Sequence, residues 1–579
     1  VMVIGGIGEA SSGKAQGVAS AILGAVFIAG YWLIPSPEKA AERQAHRAAN
    51  KVQAQARSEA AALDRENAAH DTEMASREAQ MRADPALLQQ AYREEIAAYG
   101  NQVTIGLLPE TEQFGHSFDH HRRVKVPADQ HVLALGPPRS GKTSTIIVPS
   151  ILTTDRPTVS TSTKEEILTL TAGARQQLGR IWLFDPSDSV EGLPGVTRIR
   201  WSPVQAAKSW DEAQPAGLLL LEAARDTSSG GVQNEGYWRE RAGAMLGPLL
   251  LAANVSGGSM RQVMIWVNQR SLEEPMNILH RADAEMAYSV LVGLERSEQK
   301  ELSGIFSTLA SALSAYARDA VLRSTDEPNF DPQSFPTSTD TVYLCSPGDD
   351  QKVLAPLMVL FLDGLRREIY KAHRRGQMPR PALFMLDELA NIAPIPTFPN
   401  ILSEAASQGL QIVACLQDLS QARKIWDEAG EGLLTMFATK LVFSGINDRQ
   451  TLELLSKIAG EYDEHVTVSN ESWGQSESSG GFGANSSGTS YTRGVSEQVL
   501  RKERLPVSDI ARQRSGTVLW FAPQGFISLN QNSWYQDGFL TFLVDETRGT
   551  LAAPTAESVG VAATPAAPEA PPAADSGPA

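Results

Sequence analysis

An eight-residue glycine-rich loop constrains the fold of this chain more than any other feature of its sequence. Residues 131–135, His-Val-Leu-Ala-Leu, predict a buried strand, and the loop 136–143, Gly-Pro-Pro-Arg-Ser-Gly-Lys-Thr, fits the pattern G-x-x-x-x-G-K-[ST]. A helix is predicted from Thr143 to Leu152. Glycines allow the backbone to wrap around a phosphate, and N–H groups at the helix start supply donors. The sequence therefore predicts a nucleoside-triphosphate site in an α/β fold.

Two residues of this phosphate loop have specific predicted roles. Lys142 is expected to reach the β- and γ-phosphates of ATP, and Thr143 is expected to hold Mg²⁺. The alternative is a tight strand–helix turn with an exposed lysine, which would not need glycine at both positions. The residues predicted to bind the nucleotide are Gly136, Pro137, Pro138, Arg139, Ser140, Gly141, Lys142, Thr143 and Ser144.

A second apolar run, residues 382–386, predicts a strand that ends in the acid pair Asp387 and Glu388. Parallel α/β sheets place their catalytic groups at the carboxyl ends of strands. Asp387 is predicted to bind Mg²⁺, directly or through water, and Glu388 to act as the general base that polarises the attacking water. The alternative is an acidic N-cap of the helix that begins there. Together with the phosphate loop, the pair indicates hydrolysis, because a protein that only binds ATP would not need Glu388.

A third predicted strand, residues 411–416, ends in Gln417. A neutral amide at this place can sense the γ-phosphate or orient the attacking water, so Gln417 is a third catalytic candidate. The alternative is an ordinary polar residue at the end of a strand.

Composition and charge exclude several classes of protein. The 579 residues have a formal net charge of −16, so the surface as a whole is not a basic coat for nucleic acid. Cys345 and Cys415 both lie in apolar runs, which predicts buried, reduced thiols and excludes a Cys/His zinc pattern. The histidines His116, His120 and His121 have a spacing that could hold a metal on a helix. No third acid or cysteine supports a metal there, and Gly115 and Asp119 predict a turn.

The amino-terminal region has the character of a membrane span. Residues 15–37 contain no charged side chain, which is long enough for one crossing of a bilayer. Tyr31 and Trp32 lie near one end, where aromatic rings favour the interface. A basic stripe follows, formed by Lys39, Arg43, Arg47 and Lys51. The positive side is normally cytoplasmic, so we expect the amino terminus outside and the bulk of the chain in the cytoplasm.

Residues 15–37 have two other interpretations. A signal peptide would have a basic start, which is missing, and a shorter apolar core. A buried core helix would need a covering segment, and nothing before it could supply one. An upstream piece with a further span stays open as an alternative.

The rest of the chain divides by composition and periodicity. Residues 205–321 show the helical period with few β-branched runs, which predicts an all-helical insertion. Residues 469–494 are rich in Ser and Gly and predict a flexible loop. The predicted segments are a membrane anchor (1–37), a juxtamembrane helical linker (38–100), a motor domain in two parts (101–204 and 322–545), the insertion between them (205–321), and a disordered Ala/Pro-rich tail (546–579).

The order of these motifs resembles that of the TraG-like coupling proteins of type IV secretion and conjugation, which are relatives of the FtsK and HerA motors. The loop 136–142 looks like the family's G-P-T-R-S-G-K, and Trp201-Ser-Pro is similar to its W-x-P element. The other matching elements are Val148–Leu152, Ser162–Glu166, Thr171, Arg175, Phe184–Pro186, Tyr237-Trp238, Leu386–Asn391 and Leu416–Asp418. The likeness covers roughly residues 125–540.

The resemblance implies a RecA-like P-loop NTPase core with an all-alpha insertion domain and an N-terminal transmembrane helix. It implies an ATPase that assembles as a homo-hexamer at the inner membrane and passes relaxase-bound single-stranded DNA or protein substrates to components of the secretion channel. One departure concerns an arginine that acts across subunits in some relatives. The matching region of this chain, residues 403–408, contains no arginine. Arg449 and Arg241 are weak candidates for the same role, and the alternative for each is an ordinary surface arginine.

Three functions stay open at this point. The first is an ATP-driven coupling protein for single-stranded DNA with its relaxase. The second is the same motor with another cargo, either protein effectors only or double-stranded DNA as in FtsK-like pumps. The third is a docking receptor in which ATP is a structural ligand, and Glu388 argues against it. We further expect the insertion to face the cytoplasm and select cargo, because a segment of this size usually has a role of its own; the alternative is a brace between subunits.

Overall fold

The computed structural model describes residues 51, 76, 79–80, 84–108, 123–225, 235–480 and 484–548. The chain divides into two units, residues 1–87 and 88–579. In the first unit the described residues are helical apart from Asp84. The predicted membrane span and the three histidines lie outside the described residues. Within the described ranges, no helix is both long and apolar enough to cross a bilayer.

The strands alternate with helices along most of the second unit. They are β1 (Gln102–Leu107), β2 (Arg123–Pro127), β3 (Val132–Leu135), β4 (Thr158–Ser162), β5 (Ile181–Phe184), β6 (Val196–Arg198), β7 (Thr341–Cys345), β8 (Ala382–Leu386), β9 (Leu410–Leu416), β10 (Thr439–Phe443), β11 (Glu461–Gly480), β12 (Ala484–Glu503), β13 (Thr517–Ala522) and β14 (Gly525–Asn530).

The helices fall into a group around the sheet and a group between β6 and β7. They are α1 (Pro85–Tyr99), α2 (Val148–Leu152), α3 (Glu166–Gln176), α4 (Trp210–Ala223), α5 (Glu235–Val255), α6 (Met260–Gln269), α7 (Glu273–Arg281), α8 (Glu285–Glu295), α9 (Gln299–Ala312), α10 (Asp319–Arg323), α11 (Gln351–Arg374), α12 (Leu389–Ile392), α13 (Phe398–Glu404), α14 (Leu419–Trp426), α15 (Glu428–Met436), α16 (Arg449–Ala459), α17 (Val507–Ala511) and α18 (Gly538–Arg548).

Twelve strands form one mixed sheet in the order β2-β1-β14-β13-β10-β3-β9-β8-β4-β7-β5-β6. The run from β10 to β6 is parallel, and the strands from β13 to β2 pair antiparallel. Every residue of β3, β8 and β9 is buried, as expected for parallel strands covered by helices on both faces. Because β3, β9 and β8 are parallel neighbours, the loops that follow them meet at one edge of the sheet.

Two buried arginines lie near the opposite edge of the sheet. Arg156 donates to the side-chain oxygen of Gln411 at 2.7 Å, and Arg175 donates to the backbone oxygens of Arg156 at 3.0 Å and Thr339 at 2.9 Å. Both side chains are fully buried. Buried charges are tolerated when hydrogen bonds satisfy them, so Arg175, which matches the family pattern, connects strand ends in the core.

Only helices and short 3₁₀ turns occur between β6 and β7 among the described residues. The first two long helices, α4 and α5, pack very closely. A methyl group added at Gly217 would lie 2.6 Å from the backbone nitrogen of Gly247, and one at Gly247 would lie 2.9 Å from the Cα of Gln214. Small residues therefore let the two backbones touch, and this helix pair anchors the helical segment beside α11.

The expectation of a flexible loop at residues 469–494 is wrong. Its described residues, 469–480 and 484–494, belong to β11 and β12, which pair antiparallel from Glu461↔Glu503 to Gly480↔Ala484. The Ser/Gly content predicted flexibility, but continuous pairing satisfies the backbone N–H and C=O groups, and interspersed Thr, Val and aromatic residues favour strands. At the other end, α18 continues to Arg548, so residues 546–548 are helical. The remainder of the predicted tail lies outside the described residues.

Candidate active site

The backbone of the phosphate loop has positive φ angles and a close packing contact that favour glycine at two of its positions. Arg139 and Gly141 adopt positive φ angles of 64° and 99°. A methyl group added at Gly136 would lie 2.6 Å from the Ser140 hydroxyl oxygen and 2.7 Å from the Cβ of Phe443. Glycine is therefore required at position 136 for close packing and favoured at 141 for its backbone angle.

The helix after the loop begins with a wider turn than predicted. Thr143–Ile147 is π-helical, and Val148 donates its N–H to the carbonyl of Thr143. Pro149 has no N–H to give to the carbonyl of Thr145, so the regular α-helical bond is missing at this point.

Lys142 folds back over the loop that precedes it. Its ammonium group donates to the backbone oxygen of Gly136 and, at 3.0 Å, to that of Pro137. Ser140 and Thr145 each have a buried hydroxyl without a hydrogen-bond partner in the described part of the chain. A positive charge and two unpaired buried hydroxyls in one concave loop suit a phosphate group.

Asp387 lies beside the phosphate loop, at the end of β8. The Thr143 hydroxyl donates to its carboxylate at 3.1 Å, and the Thr161 hydroxyl donates to its backbone oxygen at 2.9 Å. Burial raises the pKa of Asp387 to about 6, although the nearby Lys142 charge and the Thr143 hydrogen bond act in the opposite direction. A hydroxyl and a carboxylate oxygen in contact are the ligands that Mg²⁺ prefers, so Thr143 and Asp387 fit that ion.

Glu388 is held in a left-handed conformation, with φ 54° and ψ 46°. It occupies the N-cap position of α12, but its side chain makes no capping hydrogen bond there. Instead the Asn391 side-chain amide donates to its carboxylate at 3.3 Å. A non-glycine residue in this region costs of order 1 kcal/mol or more and is often found at functional sites. The capping alternative therefore explains the backbone position of Glu388 and leaves its side chain free for another role.

Gln417 ends the strand that lies between the phosphate loop and the acid pair. Its N–H donates to the side-chain oxygen of Gln421 at 2.9 Å, and the Gly136 N–H donates to the carbonyl of Leu416 at 3.1 Å. The structure thus brings Gln417, Lys142 and Glu388 to one edge of the sheet, on three parallel strands.

A buried thiol lies behind these groups. Burial, and secondly the adjacent Asp387 carboxylate, raise the pKa of Cys415 well above its ordinary value. Burial also raises the pKa of Cys345 to about 12. Both cysteines are buried and unpaired, as their apolar surroundings predicted.

Sequence reasoning missed two amides that hold the catalytic candidates. Asn391 contacts Glu388, and Gln421 contacts Gln417. Both line a cleft of about 910 Å³ that also includes residues of α4, α9 and α11. The spacing of three residues between Glu388 and Asn391, and of four between Gln417 and Gln421, was the available signal, because side chains so spaced meet on a helix.

The two arginines considered for a role across subunits have other contacts. Arg449 pairs with Glu453 on the same helix at 2.6 Å, and its side chain is 88% exposed. Arg241 pairs with Glu301 within the helical insertion at 3.3 Å. Neither contact favours a catalytic role over an ordinary surface role.

A parallel sheet with a phosphate loop after one strand, and an acid pair after a strand two places away, defines the RecA-like class of P-loop proteins. The chain belongs to the family described as Type IV secretory system Conjugative DNA transfer, whose model matches residues 87–542. The resemblance to coupling proteins noted in the sequence is therefore confirmed.

Curated relatives agree with this family. The chain is 23% identical over 348 residues to Protein VirD4 of Rhizobium radiobacter, covering 57% of this chain and 48% of that protein. It is 24% identical over 374 residues to Conjugal transfer protein TraG of Escherichia coli, covering 59% of this chain and 57% of that protein. The chain thus spans about half the length of the curated relatives it matches.

Solved structures show the same fold. The bacterial conjugative coupling protein TrwBdeltaN70, in its trigonal form with sulphate, is 17% identical with a TM-score of 0.53, covering 74% of this chain and 94% of that one. The plasmid coupling protein TrwB in complex with ADP and Mg²⁺ is also 17% identical, with a TM-score of 0.51 and coverage of 71% and 87%. At this identity the comparison concerns the fold alone.

Proposed function

We propose that this chain is a membrane-anchored, ATP-hydrolysing coupling protein of a conjugative type IV secretion system. Its cargo is a DNA–relaxase complex with single-stranded DNA, which it delivers to the secretion channel. The observation that carries the proposal is the hydrogen bond from Thr143 of the phosphate loop to Asp387, the neighbour of Glu388, in a chain of the conjugative DNA transfer family. Its fold neighbour TrwB has been solved with ADP and Mg²⁺ and with an ATP analogue, which supports ATP and Mg²⁺ as ligands.

Each residue of the site has a role in hydrolysis. The loop amides and Lys142 hold the phosphates, while Thr143 and Asp387 hold Mg²⁺, which neutralises phosphate charge when bound. Glu388 takes the proton of the attacking water, and Asn391 orients the Glu388 carboxylate for that step. Gln417 follows β9, the strand between β3 and β8, and positions the attacking water or senses the γ-phosphate.

The assembly that does this work is a ring. We propose a homo-hexamer at the inner face of the inner membrane, anchored through residues 15–37, with the bulk of each chain in the cytoplasm. The insertion, residues 205–321, selects cargo and the α/β core supplies force. Subunits placed side by side in a ring let each hydrolysis event act on cargo in the common channel.

The test combines hydrolysis with cargo identification. The full chain, purified in detergent, should release phosphate from ATP only with Mg²⁺ present. Crosslinking the protein in cells during transfer should then capture single-stranded DNA together with a relaxase. Capture of protein effectors alone, or of double-stranded DNA alone, would favour the corresponding alternative cargo. ATP binding without hydrolysis would favour a docking receptor and overturn the proposal.

A further inference from the structure

The segment Gln531–Gln536 reaches the phosphate loop from a distant part of the sequence. Strand β14 is antiparallel to β13, and β13 is antiparallel to β10, which is parallel to β3. The direction of β14 is therefore the same as that of β3. The residues that follow β14 must emerge at the edge of the sheet where the phosphate loop lies.

Two side chains of this segment contact the loop directly. The Gln531 side-chain amide donates to the backbone oxygen of Ser140 at 3.2 Å, and the hydroxyl oxygens of Ser533 and Ser144 are 3.1 Å apart. A methyl group added at Gly141 would lie 2.7 Å from the Gln531 side-chain oxygen. The segment therefore forms one wall of the phosphate loop.

The order of strands fixes the direction in which a bound nucleotide runs. Gln417 follows β9, and Asp387 and Glu388 follow β8; both strands lie on the same side of β3. The γ-phosphate must point to that side, because the metal ligand and the general base act there. The nucleoside must then extend to the other side, toward β10, β13 and β14, where Gln531–Gln536 lies.

The segment is rigid enough to serve as a binding surface. Ser533 and Gln536 form a reciprocal capping box around the 3₁₀ turn Trp534–Gln536. The turn is held from behind, since the Thr541 hydroxyl donates to the Trp534 carbonyl at 3.0 Å and Asp537 pairs with Arg123.

An aromatic ring is presented at the tip of this turn. Tyr535 is 58% exposed, which is unusual for a large aromatic residue on a fixed turn. The Trp534 ring lies edge-on to it, with centroids 5.7 Å apart. Every nucleobase has a π-face that can stack on such a ring.

We propose that Gln531–Gln536 is the nucleoside side of the site, with the Tyr535 ring as the surface on which the base stacks. Ser533, two residues before Tyr535, contacts Ser144, the residue that follows the phosphate loop. The inference rests on the proposed function, and it assigns the residues that recognise the part of the nucleotide that is not phosphate.

The test separates the base from the phosphates. Binding of ATP and of inorganic triphosphate, each with Mg²⁺, is measured by calorimetry on the full chain in detergent. Tyr535→Ala should weaken ATP binding about tenfold, the scale of one lost stacking contact, and leave triphosphate binding unchanged. Tyr535→Phe keeps the ring and should bind ATP as the wild type does. Tyr462→Ala, on β11, removes another exposed tyrosine and is the matched control.

Each outcome has one meaning. If Tyr535→Ala binds ATP as tightly as the wild type, or loses ATP and triphosphate equally, the assignment of the base surface is overturned. If the wild type binds neither ligand, the proposed ATPase function itself fails. ATP bound more tightly than triphosphate by the wild type, with the difference lost in Tyr535→Ala, supports the inference.

Discussion

The α/β core and the helical insertion bury different kinds of residue. In the core, buried polar side chains include Thr145, Thr161, Arg175 and Gln411. In the described part of the insertion, residues 205–225 and 236–321, every buried residue is apolar or aromatic. The insertion is therefore held by hydrophobic packing, whereas the core uses hydrogen bonds between distant strands to position its polar groups. Replacing a single polar side chain should therefore have a severe effect in the core and a mild effect in the insertion.

The largest difference is expected for Lys142. Lys142→Ala removes the cation that pairs with the β- and γ-phosphates, so hydrolysis and transfer should both be abolished. The matched control is Lys300→Ala, an exposed lysine on α9 of the insertion, which should hydrolyse ATP normally. Phosphate release by the purified proteins decides this, and an active Lys142→Ala would show that the loop is only a structural turn.

Glu388→Gln should lower kcat by roughly 10²-fold or more while ATP still binds, because the variant lacks the proposed general base and keeps the proposed phosphate-binding residues. Glu285→Gln, at an exposed position of α8, makes the same chemical change in the insertion and should have no effect. Binding and turnover are measured on the same preparations. A normal turnover rate in Glu388→Gln would mean that another group takes the proton.

Acid should weaken the core through His131. Burial lowers the pKa of His131 to about 4, and its Nδ1 accepts a hydrogen bond from the Ile412 N–H at 3.1 Å. A depressed histidine pKa contributes stability that is present above pH ~6.5 and is lost as the pH falls toward ~4, by about 3 kcal/mol in total. His131→Asn keeps an acceptor that cannot take a proton in this range, so its stability should depend less on pH.

The measurement is urea unfolding at pH 7.5 and pH 4.5 for the wild type and the variant. His280→Asn, an exposed histidine of α7 in the insertion, is the control and should follow the wild type. Equal acid losses in all three proteins would remove His131 as the cause.

A smaller effect is expected for the amide that contacts the general base. Asn391→Ala removes a hydrogen bond to a carboxylate, so kcat should fall about tenfold with little change in KM. Asn391→Asp places a second carboxylate beside Glu388, and the repulsion between the two like charges should move the acidic limb of the rate profile to higher pH. Asn277→Ala, exposed on α7, is the control. An unchanged pH profile in Asn391→Asp would contradict a positioning role.

The smallest effect on hydrolysis is expected from exchanging the insertion. Replacing residues 205–321 by the matching segment of another family member should leave the ATPase rate within about twofold, because the catalytic groups all lie in the core. Cargo choice should change, which is measured as binding of relaxases from both systems and as transfer. Unchanged cargo choice, together with no relaxase binding by the insertion, would leave it as a brace between subunits.

The sequence predicts local parts of the site better than distant ones. The loop 136–143 and the pair Asp387–Glu388 could be identified because each motif is contiguous and follows an apolar strand. The contact between Ser144 and Ser533 joins residues 389 positions apart, and no spacing rule links them. Only the sheet order, with β14 running parallel to β3, brings them together.

Composition misled where pairing decides the structure. The segment around 469–494 has the Ser and Gly content of a linker, yet its backbone pairs with itself as β11 and β12. The register of the two strands depends on hydrogen bonds between particular positions of the chain, and amino-acid composition contains no information about these positions. The insertion was easier to predict, because helical periodicity is a property of neighbouring residues.

Alkylation of the two buried thiols can be used to measure how often the core opens. Cys345 lies on β7 and Cys415 on β9, and the chain has no other cysteine. Because both thiols are buried and have raised pKa values, neither is expected to react with an alkylating reagent while the sheet is closed. The rate of alkylation therefore reports the opening of the sheet. Opening of the insertion does not contribute to this rate, because the insertion has no cysteine.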